Sequence, residues 1–154
     1  MVILLCLIMV IAGTISGIFL APLLHKDKDD NYDKNAVDIV QQSDDSQSQE
    51  FADNIAIPCW DSLTMKANEL EQTVNFYNPA ANKGINFKLT LSLDDGTKLY
   101  QSDLIPCGKA IYNITLDSAL EPGTYNAILD YECTTTDGGQ LNGSSMSFTI
   151  EMEE

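Results

Sequence analysis

The sequence predicts an all-β sandwich carried behind an N-terminal membrane-spanning helix, and three observations lead there. Residues 1–24, MVILLCLIMVIAGTISGIFLAPLL, hold no charged side chain, and the next six, HKDKDD, hold five charges and a histidine. Residues 25–54 are polar and acidic. From residue 55 onward, short runs of alternating apolar and polar side chains recur between turn-forming residues. That period of two is the mark of strands that bury one face.

A helix rising about 1.5 Å per residue needs roughly 20 residues to cross a hydrocarbon core of about 30 Å. Residues 1–24 are long enough. No Lys or Arg precedes the apolar run and Pro22 follows the only nearby Ala, so the segment lacks the basic start and small-residue exit of a cleaved signal. It is expected to stay as an uncleaved, single-pass signal-anchor in the cell membrane. Gly13 and Gly17 have the G-x-x-x-G spacing that lets two helices approach closely, and mark a candidate packing face for a dimer. Lys26, Lys28 and Lys34 all follow the apolar run, which read literally keeps the C-terminal part inside. Long domains translocate largely regardless of flanking charge, however. The C-terminal domain is therefore expected to be extracytoplasmic.

Charge narrows the partners. The chain has 23 acidic residues against 8 lysines and no arginine, a net charge of −15. It cannot hold nucleic acid by neutralising phosphates, and it lacks the bidentate guanidinium grip on anions. Residues 25–54 carry 9 acids and 3 lysines among Ser, Gln and Asn. A segment so poor in apolar groups cannot offset the entropy of ordering, so a flexible stalk is expected there. Asp27, Asp29, Asn31 and Asp33 alternate like a calcium loop, but Tyr32 and Asp38 stand where an EF-hand needs Gly and Glu. His25, the sole histidine, lies at the membrane boundary with no catalytic companion.

The remaining residues, 55–154, read as one domain. Strands are predicted over residues 63–67, 73–78, 85–93, 98–101, 109–116, 124–134 and 144–152. About seven strands in about 100 residues indicates an immunoglobulin-like or fibronectin-like β-sandwich. In 85–93, Ile85, Phe87, Leu89, Leu91 and Leu93 share one face. In 109–116, Ala110, Tyr112, Ile114 and Leu116 form the more apolar face, opposite Lys109, Ile111 and Asn113. Ala127, Leu129, Tyr131 and Cys133 also share a side, as do Met146, Phe148 and Ile150. Asp94-Asp95-Gly96-Thr97 supplies a tight hairpin, its glycine taking positive φ and its aspartates acting as turn formers.

The most specific local signal is Leu120-Glu121-Pro122-Gly123-Thr124-Tyr125. It resembles the tyrosine corner before the penultimate strand of such sandwiches, with Leu120 plugging the core and the Tyr125 hydroxyl bonding back to the loop backbone. More broadly, residues 57–150, with VNFYNP, LDDGTKLYQS, GKAIYNITL, PGTYNAILDYEC and LNG, resemble the small uncharacterised immunoglobulin-like surface domains of Gram-positive, Firmicutes-type bacteria. That resemblance implies a fold and a cell-surface location. It carries no catalytic motif.

Cys59 and Cys107 each end an Ile-Pro-Cys tripeptide ahead of a strand, whereas Cys133 lies on the apolar parity of its own strand. In an exported domain, a Cys59 to Cys107 disulfide is the best of the three pairings and Cys133 is expected to be a buried thiol. No nucleophile, base and orienting group come together, so the expectation is no enzyme, no cofactor and no metal site. Trp60 is a candidate partner contact, weighed against an ordinary core role. The function expected is a noncatalytic binding module that engages a protein or a cell-wall glycan. The alternative is an accessory subunit that docks on a larger membrane complex, a transporter or secretion machine, through helix and sandwich.

Overall fold

The computed structural model describes residues 31–39, 48–50 and 55–154. The expected helix over 1–24, its Gly13 and Gly17 pair, and most of the expected stalk lie outside the described residues. Among the described residues, no helix is long and apolar enough to cross a membrane. All regular structure there is β.

Eleven strands follow in order. They are β1 (Val37–Asp38), β2 (Ser48–Glu50), β3 (Ala56–Pro58), β4 (Ser62–Lys66), β5 (Glu71–Tyr77), β6 (Ile85–Leu93), β7 (Lys98–Gln101), β8 (Ile105–Pro106), β9 (Lys109–Thr115), β10 (Gly123–Thr135) and β11 (Ser144–Glu153). The larger sheet has the order β4-β11-β10-β6-β7, with β8 also on β6, and the smaller has the order β1-β9-β5. β2 and β3 form a separate short ladder. Within the larger sheet only β4 is parallel to its neighbour, β11.

Each of the seven strands expected from alternation is present, with ends within two residues of the expected ones. The core runs between the two sheets. Val74, Phe76, Ile111 and Ile114 of the smaller sheet join Phe87, Leu89, Leu91, Leu129 and Ile150 of the larger in one cluster. Burying one such side chain fully is worth about 1.5–3 kcal/mol. The Phe87 and Tyr131 rings meet edge to face, with centroids 5.4 Å apart. The Tyr131 hydroxyl donates to the Pro58 carbonyl at 2.9 Å, which gives the buried phenol its partner. Burial raises its pKa well above the ordinary phenol value, and Tyr77, Cys59 and Cys133 act in the same direction.

The hairpin between β6 and β7 forms as expected. The Gly96 φ is +89°, and the Leu93 N–H donates to the Thr97 carbonyl at 2.9 Å. The Asp95 carboxylate accepts the Thr97 N–H at 2.8 Å, and that bond lowers its pKa. Asp94 accepts from the Asn126 side chain at 3.2 Å. Both aspartates are thus used in turn and cross-strand bonds.

Two expectations are corrected. The first is the parity of β9, where Ile111 and Ile114 are both buried. Pairing with β5 slips between Thr73 and Phe76, so Thr73 faces Asn113 while Phe76 faces Ile111. The bulge turns Ile111 inward along with Ile114 and leaves Tyr112 half-buried. The second is the extent of the domain. Its compact unit is Asn31–Glu154, so residues 31–39 are part of it and not a solvated linker. The Leu104 N–H donates to the Asn31 carbonyl at 3.0 Å and the Asp33 N–H to the Leu104 carbonyl at 2.8 Å. Val37 and Asp38 then pair with Ala110 and Lys109. An acidic segment orders here because an unfilled sheet edge supplies the backbone partners that its own side chains cannot.

Side chains also replace backbone partners at the end of the sandwich where β5 leads to β6. Asn78, fully buried, donates to the carbonyls of Ile85 at 3.0 Å and Ile105 at 2.9 Å. Its carbonyl oxygen accepts from Asn82 at 2.9 Å. Asn82 in turn exchanges two bonds with the Ala56 backbone, at 2.9 and 2.8 Å. Two amides thereby tie β3, β6 and β8 to the Asn-Pro turn that follows β5. Gln72 does the same at the opposite end, accepting the Lys66 N–H and donating to the Lys66 carbonyl, each at 2.8 Å. No buried side-chain N or O among the described residues lacks a partner.

Candidate functional site: the outer face of the smaller sheet

The two outer faces of the sandwich differ in chemistry because their strands alternate different residues. On the larger sheet, β6 turns Thr90 and Ser92 outward, β10 turns Ile128 and Asp130 outward, and β11 turns Ser145 and Ser147 outward. Several of these groups satisfy one another. Gln101 donates to Thr90 at 3.0 Å, and the Ser145 hydroxyl bonds the Asp130 carboxylate.

The smaller sheet carries a tyrosine and an exposed valine instead. β5 buries Gln72, Val74 and Phe76, so Thr73, Asn75 and Tyr77 have outward parity. Tyr77 pairs with Ala110 and Ala110 with Val37, which places the three in one cross-strand row. Tyr112 follows on the same strand, at the point where the pairing with β5 slips. Tyr77 and Tyr112 are half-buried. Val37, at 47%, and Leu70, at 45%, are the exposed large hydrophobics among the described residues. The nearest formal charges to the row include Asp38 and Lys109, which pair with each other at 2.7 Å. The patch is apolar and aromatic, with its neighbouring charges balanced, on a chain of net −15.

Trp60 stands at its margin. The ring meets Phe76 at 5.7 Å and Tyr77 at 6.4 Å, both edge to face, and its backbone N–H approaches the Met146 sulfur at 3.4 Å. It is half-buried against the core. Trp60 therefore links the core to the row through Tyr77.

The other expected residues are scattered. Tyr125 donates its hydroxyl to the Glu121 carbonyl at 3.1 Å. Leu120 packs on the core, and Gly123 has a φ of +154° with the Tyr125 ring 3.7 Å from where a Cβ would stand. Leu120, Pro122, Gly123 and Tyr125 thus form a structural corner with no convergence of reactive groups. Cys59, Cys107 and Cys133 are all thiols, and the expected Cys59 to Cys107 bridge is not formed. Cys133 is fully buried, and burial pushes its thiol up to about 11. Among the described residues, no three His, Cys, Asp or Glu side chains are grouped to hold a metal ion.

A concavity of about 430 Å³ opens at the other end of the sandwich, lined in part by Lys66, Glu69, Glu71 and Glu153. Lys66 and Glu69 pair at 3.6 Å with both side chains largely exposed, a contact worth little. Glu71 is engaged by the Thr115 hydroxyl at 2.7 Å.

Sequence reasoning did not find the Tyr77, Ala110 and Val37 row. Val37 lies in a segment read as stalk, and Tyr77 and Ala110 lie on a strand pair whose parity is shifted by a bulge. No family model matches the chain, and neither a curated protein nor a solved structure matches it.

Proposed function

We propose that this protein is a membrane-anchored, noncatalytic binding module whose immunoglobulin-like sandwich is displayed outside the cytoplasm. The observation that carries the binding reading is the Tyr77, Ala110 and Val37 row, with Val37 exposed and Tyr77 half-buried. Aromatic side chains with a polar tip are the groups enriched at protein contact surfaces, and they also stack on sugar rings. The surrounding charge balance lowers the repulsion that a net −15 chain imposes on an acidic partner. A protein or cell-wall glycan surface fits this face, and no cofactor is needed.

The immunoglobulin-like assignment draws on connectivity. β5 and β9 are adjacent in one sheet while β6, β10 and β11 are adjacent in the other, and the tyrosine corner opens β10, the strand between β6 and β11. This connectivity supports reading β5 and β9 as the B and E strands and β6, β10 and β11 as C, F and G. The anchor reading draws on the uncharged run over residues 1–24.

The display reading is tested by fractionation and protease accessibility in intact cells. The chain should stay with membranes through a carbonate wash, and external protease should remove the sandwich. Release into the soluble fraction would contradict the anchor. Complete protection of the sandwich, with the protease shown to be active, would reverse the topology. Loss of partner capture on replacing Gly13 and Gly17, with the sandwich unnecessary, would favour the accessory-subunit alternative.

A further inference from the structure

We infer that residues 31–39 are a separable strap latched onto the sandwich by the Asp33 carboxylate. One oxygen, Oδ1, accepts the Asn35 N–H at 2.8 Å and shapes the strap's own turn. The other, Oδ2, reaches across to the larger sheet's side, accepting the Asp103 N–H at 3.0 Å and lying 3.5 Å from the Tyr100 hydroxyl. Tyr100 is itself 8% exposed, so the latch is seated on a fixed group. One carboxylate thus both folds the strap and fastens it.

The remaining attachments are few and mostly polar. They include the Asn31, Asp33 and Leu104 backbone bonds, the two-residue β1 ladder, and an Ile39 N–H bond to the Gly108 carbonyl at 3.3 Å. The apolar contact is small, with Ala36 packed against the core and Ile39 half-buried. The Lys109 to Asp38 ion pair adds a largely exposed contact, with the Asp38 side chain 89% accessible. No large apolar side chain of the strap is buried, and Val37 stays 47% exposed. A segment held mainly by polar bonds at one edge, with little apolar burial, opens independently of a core held by extensive apolar burial. Its release strips β9 of β1 and removes Val37 from the Tyr77 row. The strap is therefore a conformational device that completes the outer face when latched. The statement about the face rests on the binding reading; the latch itself does not.

Amide hydrogen exchange on the full chain in detergent tests it. In the wild type, the Leu104 and Ile39 amides should exchange faster than those of Leu129 and Tyr131 in the central strand β10, by roughly tenfold or more. Asp33→Ala should raise exchange at Leu104 by about a further tenfold or more while Leu129 and Tyr131 keep their rates, and Asp33→Asn, which retains one acceptor oxygen, should fall between. Equal wild-type rates at Leu104 and Leu129 would overturn the separable strap, even if Asp33→Ala failed to fold. An unchanged Leu104 in Asp33→Ala, or a parallel rise at Leu104 and Leu129, would overturn the latch. The readout needs no binding partner, so a failure of the binding reading leaves it interpretable.

Discussion

The larger and smaller sheets solve the same problem differently. β6, β10 and β11 pair continuously, with nine consecutive partners from Gly123 and Met152 to Tyr131 and Ser144 along β10 and β11. Their inward residues alternate without a break along that stretch, and their outward residues are mostly hydroxyls, an amide and carboxylates, with Ile128 apolar among them. The smaller sheet instead has a slipped pairing on β5, a two-residue third strand from a distant segment, and Tyr77 beside Val37 in one row on its outer side. Regularity leaves the larger sheet plain. Irregularity gives the smaller sheet its distinctive surface, and local rules commonly break where a protein has something besides folding to do.

Breaking the polar supports of the two sheets should show that difference in stability. Asn78→Ala removes two donors and one acceptor from the fully buried turn after β5, leaving the carbonyls of Ile85 and Ile105 and the amide of Asn82 short of partners. A loss of about 3–5 kcal/mol is expected in denaturant melts, since each buried unsatisfied group costs about 1–3 kcal/mol. A loss below about 1 kcal/mol would mean that water or relaxation replaces the amide. The corner on β10 should matter far less. Tyr125→Phe removes a bond to Glu121 at an exposed position, where water can substitute, so a change of about 0.5 kcal/mol or less is expected. A larger loss would place the corner among the main supports of the larger sheet.

Thiol reactivity sharpens the comparison without perturbing the fold. Cys133 sits on the inward side of β10, whereas Cys107 is half-buried in the turn leading to β9. Burial raises the Cys133 pKa to about 11 by disfavouring the thiolate. An acid whose folded pKa is raised keeps its contribution to stability below the unfolded value near 9 and loses it as pH rises through about 11. At pH 8, an alkylating reagent should therefore label Cys107 first and leave Cys133 intact until the protein unfolds. Mass mapping that finds Cys133 modified in folded protein at that pH would show that β10 opens on its own.

Legibility followed sequence distance. The hairpin at Asp95 and Gly96 and the corner joining Tyr125 to Glu121 involve residues two to four apart, so their chemistry is visible in a short window. The strands of the larger sheet were equally readable because period-2 burial is a local property. The Asn82 bonds to Ala56 span 26 residues, and the Asp33 bond to Asp103 spans 70. Nothing in the composition of residues 31–39 signals that Leu104 and Ala110 offer an edge to pair with. The bulge was hidden for a related reason: strict alternation put Ile111 with Lys109 and Asn113, opposite the more apolar face of Ile114, and a register slip against β5 leaves no mark within β9 itself. The candidate face, which needs both the strap and the bulge, was legible only in its separate tyrosines and in Trp60.

The central claim is that the smaller sheet's outer face makes the contact, and photo-crosslinking from each face tests it most directly. A photoreactive residue at Tyr77 and another at Ser147, both in the full chain in intact cells, probe the two surfaces under identical display. A discrete crosslinked product is expected from Tyr77 that is lost on Val37→Asp, with none from Ser147. The same product from Ser147 with nothing from Tyr77 would contradict it.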